Sequence, residues 1–269
     1  MFKYNLCQEC RYGRMIYNVL DQYVGQSLHQ YGEFSQGEAI VFDQLVHAGD
    51  VVVEAGANIG AHTVHLAQLV GEQGRVYAFE PQRLVFQTLC GNLALNSLTN
   101  VFASQQALGN QPGTIKVPCL DVHVFQNWGG LSLVHSTQGE PVPVTTIDNL
   151  QLTACRLIKV DVEGMEQQVL QGAQKTIASC RPYLYVEINM DDKISKPLVD
   201  YMKSLGYRVY KHTPSLFNKD NYFHKQENTF IKQELDDKKQ PRAVVVSSFN
   251  ALCVPRETKA KVLDMREFK

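Results

Sequence analysis

The amino-acid sequence predicts an α/β fold, a doubly wound and mostly parallel sheet with helices on both faces. Three observations carry that expectation. Short apolar runs recur at residues 51–53, 75–79, 157–162 and 183–188. Each is followed by a turn and then a helical apolar pattern, the rhythm of a βαβα chain. Each also places an acidic residue at its end, in turn Glu54, Glu80, Asp161 and Glu187. Strands separated by helices pair in parallel through right-handed crossovers. A ligand site then belongs outside the carboxyl ends of the strands, near the switch in strand order.

The elements follow in order. Residues 4–49 are rich in tyrosine and show little strand alternation. Within them Ser35-Gln36-Gly37-Glu38 reads as a capping box, in which the Ser35 hydroxyl and the Glu38 carboxylate satisfy the free amides of a helix running toward His47. Val51-Val52-Val53 is continuous and β-branched, as a strand covered on both faces should be. After a glycine loop, Ala61, Val64, Ala67 and Val70 set an apolar stripe on a helix. The strand 75–79 ends at Glu80, and Pro81 suits the opening of a helix on which Val85, Leu89 and Leu93 face the core. A weaker third strand is expected over 101–107. The strand 157–162 precedes a helix carrying Val169, Leu170, Ala173 and Ile177. After the strand 183–188 comes a helix from about Lys196, stopped at Gly206, which suits a C-terminal cap. A short strand at 207–210 and a final one within 249–254 flank a polar stretch from Thr213 to Arg242, expected as loop or a partly ordered insertion. The expected organisation is a helical, lid-like segment over 1–48 and a main domain over 49–269 with an insertion around 213–243.

Bulk composition excludes several classes. The 26 basic and 27 acidic residues leave a formal net charge of -1, without the basic footprint that nucleic acid or an anionic membrane surface demands, so neither partner is expected. No apolar run reaches the roughly 18 residues of a membrane span. The start Met1-Phe2-Lys3 lacks a signal-type apolar stretch, and a cytoplasmic location is expected. The 7 cysteines are odd in number and scattered, unlike a secreted disulfide framework. Cys7-Gln8-Glu9-Cys10 has the spacing of half a zinc site, but no second pair follows and no metal is expected.

The densest chemical signal is Glu54-Ala55-Gly56-Ala57-Asn58-Ile59-Gly60, between a strand and a helix. Gly56 permits a tight turn and close backbone approach to a ligand, and Gly60 permits close helix packing. The amino terminus of the helix, with Asn58 and Thr63 beside it, offers amides to an anion. Glu80 stands twenty residues beyond Gly60, where a carboxylate accepts hydrogen bonds from ribose hydroxyls. A dinucleotide site would prefer a third glycine where His62 and Thr63 stand, so a nucleoside without a pyrophosphate fits better, and a nicotinamide-dependent oxidoreductase is disfavoured. Glu54 suits the positive end of such a ligand. Asn96 and Gln106, after the second helix and in the third strand, are within reach of a base. His62 and His65 are expected to pack or be solvated.

Lys159, Asp161 and Glu163 alternate along the strand 157–162 and its end, so they share a face. Ionisable groups there are costly unless they pair or meet a ligand. Asp161 is expected to position an acceptor or the ligand's amine, Glu163 to orient or act as base, and Lys159 to tune both or pair with them. Glu187 is a candidate for the same cleft. The loop Asn127-Trp128-Gly129-Gly130-Leu131-Ser132 offers an aromatic platform and polar groups for a substrate, or a turn with Trp128 packed beneath it.

Glu54 to Gly60, Phe79-Glu80-Pro81, Asn92 to Asn96, Thr145-Thr146-Ile147-Asp148, Ile158 to Gly164, and Arg181-Pro182 with Glu187 together resemble the FkbM family of methyltransferases. The resemblance covers roughly residues 49–189. One departure is Glu54, where members of that family often have Asp. The resemblance implies a class I, Rossmann-like methyltransferase fold, S-adenosylmethionine as donor, and often an oxygen acceptor on a sugar or secondary metabolite; related enzymes also methylate amide nitrogens of peptide side chains. The segment from Asp21 to Glu38 lies outside the strongest match and is expected as a lid, with Tyr31 and Glu33 as gate residues. A non-catalytic nucleoside-binding module shares the loop and would differ only in lacking turnover.

Overall fold

The computed structural model describes residues 4–130, 138–235 and 241–268. The chain opens with an antiparallel hairpin, β1 (Asn5–Cys10) and β2 (Gly13–Asn18), and two helices, α1 (Val24–Tyr31) and α2 (Gln36–Leu45). The alternating part begins with β3 (Val51–Ala55), α3 (Ala61–Val70), β4 (Arg75–Phe79), α4 (Arg83–Leu95) and β5 (Val101–Ser104). A small sheet of β6 (Ala107–Leu108), β7 (Gly113–Val117) and β8 (Glu140–Thr145) interrupts it. Then follow β9 (Leu157–Val160), α5 (Glu166–Gln171), α6 (Gln174–Cys180), β10 (Tyr183–Glu187), α7 (Asp192–Ser204) and β11 (Tyr207–His212). A second hairpin, β12 (Ile231–Leu235) and β13 (Pro241–Val245), precedes β14 (Asn250–Pro255) and β15 (Arg266–Glu267).

The main sheet has the order β15-β11-β14-β10-β9-β3-β4-β5. The pairs β3–β4, β4–β5, β3–β9 and β9–β10 are parallel, while β14 runs antiparallel to β10 and β11. Successive strands run outward in one direction from β3 and in the other from β9, so the switch point lies between these two. Alternation in the buried strands supplies both faces at once. Val52, Leu157 and Tyr185 enter a core with α3, α4 and the first hairpin, whereas Val53, Ile158 and Leu184 enter one with α5, α6 and α7. The α/β class read from the sequence is therefore the class observed.

Several expectations change in detail. The strand expected over 101–107 is divided between two sheets, with β5 in the large one and β6 in the small one. The strand expected over 157–162 ends at Val160, and Glu163 takes a left-handed φ of 54°. The helix after it is two helices, and α7 begins at Asp192, where Asp191 accepts from the Lys193 amide. The capping box does not form: Ser35 has φ 43°, and its hydroxyl donates to Glu38 Oε1 instead of capping an amide. The first hairpin was not expected at all. It is tied to α4 by Asn92, whose side chain bonds the Ile16 backbone in both senses. The polar stretch before β14 holds the β12–β13 hairpin. No helix among the described residues is long and apolar enough to cross a membrane.

Candidate active site

The carboxyl ends of β3, β4 and β9 converge on the loop of residues 56–60. Gly56 has φ 80°, and a Cβ there would lie 1.8 Å from the Asp161 carbonyl oxygen, so a side chain is excluded by both conformation and contact. The amides of Gly56 and Ala57 both donate to the Phe79 carbonyl, drawing the loop against the end of β4. There Glu80 is buried, and its oxygens accept from the amides of Gln82 and Asn58, each at 2.9 Å. Burial, opposed in part by these bonds, raises its pKa to about 7. Gly60 has φ 88° and packs against Leu89 of α4.

Around this loop opens a cavity of about 420 Å³, with six carboxyl side chains on its walls: Glu38, Glu54, Glu80, Asp161, Glu163 and Glu187. The nearest oxygens of Asp161, Glu163 and Glu187 lie within 4.8 Å of one another. Crowding of this kind keeps protons on some members of the group. Burial, then Asp161 and Glu163, pushes the Glu187 pKa far up, and Glu187 hydrogen-bonds Asp161. Burial, then Asp161, raises Glu163 to about 7. Lys159 is 3% exposed, with Nζ 3.3 Å from Asp161 Oδ2 and 3.7 Å from Glu54 Oε1. Burial opposes its charge, but Asp161, Glu54 and Glu38 prevail and hold its pKa above the ordinary lysine value. The site is a mostly acidic chamber, a donor set that favours a cation.

Of the residues singled out in the sequence, Glu54, Gly56, Asn58, Glu80, Asn127, Lys159, Asp161 and Glu163 line this cavity. Gln106 lines an adjoining slot with Glu80 and Pro81. Thr63 is fully buried and donates to Glu54 Oε2 at 2.6 Å, behind the wall and not on it. Asn96 is not brought to the site: its amide exchanges hydrogen bonds with the Arg14 backbone. Tyr31 and Glu33 do not line the cavity. The Tyr31 hydroxyl pairs with Thr229, and the buried Glu33 carboxylate takes Arg11, Asn218 and the Tyr222 amide. Trp128 is packed beneath its loop, its amide donating to Asp21 and its carbonyl accepting from Gln82; Leu131 and Ser132 lie outside the described residues. Cys7 is exposed and Cys10 buried, and among the described residues no further metal-type ligand joins them.

The roof of the cavity was not legible. It is made by Tyr23, Phe34 and Glu38 from the amino-terminal segment and by the chain from Val244 to Asn250 after the second hairpin. Tyr23 and Phe34 from the first part and Val246 from the second pack against a separate apolar cluster of Tyr31, Leu216 and Phe230. Lys232 Nζ donates to the Tyr23 hydroxyl and sits 5.1 Å from its ring centroid. A visible signal was Val244-Val245-Val246, an apolar β-branched run inside a polar stretch.

A family model described as Methyltransferase FkbM domain matches residues 54–209, more than half of the 269-residue chain. Methyltransferase 1 of Beauveria bassiana (strain ARSEF 2860) is 30% identical over 143 residues, covering 45% of this chain and 57% of that protein, so the chain spans little more than half of that relative. Among solved structures, a methyltransferase FkbM from Methylobacillus flagellatus KT is 18% identical, with 80% of this chain and 50% of that chain covered and a TM-score of 0.48. A SAM-dependent O-methyltransferase from Thermotoga maritima is 14% identical, with 84% and 66% covered and a TM-score of 0.43.

Proposed function

The chain belongs to the family of the FkbM methyltransferase domain, and on that premise we propose that it transfers the methyl group of S-adenosylmethionine to an oxygen acceptor, the hydroxyl of a sugar or secondary metabolite. The observation that carries this reading is the convergence of the 56–60 loop, Glu80 and the Asp161–Glu163–Glu187 group on one cavity at the switch point. Its donor set fits the cosubstrate: an acidic chamber accommodates a sulfonium, and a buried carboxylate held by two backbone amides keeps lone pairs for ribose hydroxyls. Gln106 borders the slot beside Glu80 that suits the base.

Bound there, S-adenosylmethionine supplies an electrophilic methyl carbon on a positively charged sulfur. The residues of the chain align the acceptor and remove its proton. Asp161, half-exposed toward the cavity and pinned by Lys159, positions the acceptor and leaves its single hydroxyl hydrogen directed at Glu163. Glu163, with a pKa of about 7, is suited to take the proton near neutral pH. Its left-handed backbone, followed by Gly164 at φ 100°, turns the chain sharply at this point. Glu187 retains a proton against Asp161, which limits the charge of the group.

Calorimetric titration with S-adenosylhomocysteine and with NAD tests the first half of this reading. Binding of the former is expected, and binding of NAD alone would overturn it. A labelled methyl donor, offered with sugars, small alcohols and peptides and followed by mass spectrometry of the product, tests the second half. Methylation of a peptide amide would move the acceptor from oxygen to nitrogen. With whichever acceptor that screen returns, Asp161→Asn is expected to lower turnover at least about a hundredfold while the protein still folds; normal turnover would remove Asp161 from its role.

A further inference from the structure

The roof of the chamber is built unlike its floor. Its lining is mostly apolar, with Val24, Phe34, Leu216, Val244, Val246 and Phe249 on the cavity. Met190 and Val245 line it too, yet they stay 62% and 46% exposed, so they stand where the chamber opens to solvent. Ile231 pairs with Val245 across the second hairpin and is 47% exposed. Directly opposed residues of an antiparallel pair share a face, so Ile231 extends the apolar rim outward. Apolar side chains grouped at an opening add little to the core and mark a place of contact.

One charge interrupts this surface. Among the described residues the walls hold two lysines, and Lys159 is already buried between Asp161 and Glu54. Lys232 is exposed, and among the described residues its Nζ meets no carboxylate; it donates to the Tyr23 hydroxyl and lies 5.1 Å from the centre of that ring. The ring holds the ammonium in place by cation–π attraction without neutralising it. An ammonium has three hydrogens, and Tyr23 takes one, which leaves two for a ligand.

This distribution of charge dictates how an acceptor enters. Six carboxyl side chains on the walls oppose an anion near the reacting centre, so an anionic group is stabilised beside Lys232 and nowhere deeper. A polyhydroxylated body lying against the roof would exchange hydrogen bonds with water for apolar contacts, which is unfavourable. An apolar body gains by the same exchange.

We propose that the roof selects the acceptor: a small hydroxylated molecule with an apolar body and one anionic group, its anion on Lys232 and its hydroxyl turned inward to Glu163. Naming this occupant the acceptor rests on the methyl-transfer reading above, and it narrows that reading away from free sugars. Lys232 becomes a specificity residue, held by Tyr23.

The test uses naphthol, hydroxynaphthoate, naphthol sulfonate and methyl glucoside, titrated by calorimetry into protein free of ligand and saturated with S-adenosylhomocysteine. Wild-type, Lys232→Met and Lys232→Arg chains are compared. In the saturated wild-type protein both anions are expected to bind at least about fivefold more tightly than naphthol, the upper end for an exposed ion pair, and methyl glucoside more weakly than naphthol. Lys232→Met keeps the apolar stem and should bring the ratio of anion to naphthol toward one with naphthol affinity kept, whereas Lys232→Arg should preserve it. Anions that bind no better than naphthol overturn the proposal, and so does a preference that survives in Lys232→Met. Tighter binding of methyl glucoside than of naphthol overturns the apolar roof. Anions that bind the free protein but not the saturated one occupy the donor's place, which overturns the acceptor assignment. If S-adenosylhomocysteine itself does not bind, the methyl-transfer reading fails, and the titrations of the free protein still decide whether Lys232 reads an anion.

Discussion

Replacing Glu80 by glutamine is expected to flatten the pH dependence of the unliganded protein's stability. Glu80 is 4% exposed, and burial raises its pKa from 4.5 to about 7 against two backbone hydrogen bonds. The fold therefore prefers the protonated acid. Its contribution to stability is fully present below the unfolded value of 4.5 and is lost as pH rises through 7. Integrated between pH 5 and pH 8, these two values give a loss of about 2.5 kcal/mol, or roughly 5 °C in Tm for a chain of this size. The assay is urea and thermal unfolding of wild-type and Glu80→Gln protein, without ligand, in steps across that range. Glu38, Glu54, Glu163 and Glu187 also have raised pKa values, so the wild-type curve carries their share. The difference between the two curves isolates Glu80 to first order. In the variant an amide nitrogen faces the N–H of Asn58 or Gln82, and donor against donor costs about 1–3 kcal/mol. That penalty lowers the whole curve without changing its slope. Parallel curves would refute the reasoning, because they would mean that no proton is taken up at residue 80 in this range.

Three further outcomes are expected. Gly56→Ala forces a left-handed alanine into the Asp161 carbonyl; urea unfolding should show a loss of at least about 2 kcal/mol, with S-adenosylhomocysteine binding abolished. Lys159→Met leaves Glu54 and Asp161 without their shared cation and should cost about 3–5 kcal/mol at pH 8. The deficit should shrink at pH 5, because burial raises the Glu54 pKa and its protonation relieves the unpaired charge, and an equal deficit at both values would contradict the assignment. Asn96→Ala should cost about 1 kcal/mol through its lost bonds to the Arg14 backbone and leave S-adenosylhomocysteine affinity unchanged; a tenfold weaker affinity would return Asn96 to the binding site.

The parts of the fold legible in the sequence are those whose physics is local. Val52 and Val53, or Leu157 and Ile158, feed opposite cores from adjacent positions, and a strand buried on both faces betrays itself as a continuous apolar run. Gly56, Asn58 and Glu80 were readable because a tight turn and a strand-end acid are fixed within a few residues of each other. The first hairpin escaped because β1 is largely exposed, so its alternation is weak and its cysteine pair drew attention instead. Glu38 was assigned to a helix cap by a four-residue pattern. Its contact with Ser35 is local, but His62 meets it only after α2 has packed on α3. Asn96 and Thr63 were misplaced for the opposite reason: sequence distance from the loop was right, but their side chains are committed to the Arg14 backbone and to Glu54. Tyr31 and Glu33 sit in the expected segment, yet Arg11 pairs with Glu33 and the other partners of both side chains come from residues 185 or more positions away.

The roof over the chamber has a consequence for how the chain responds to an occupant. Its two halves come from residues 23–38 and 244–250, stretches far apart in the sequence. An occupant that touches both halves works as a clasp between remote stretches. Its grip should protect backbone amides from exchange in α2 and in β14 together, and a chain shortened by its first 48 residues would keep the floor of the chamber but lose its clasp.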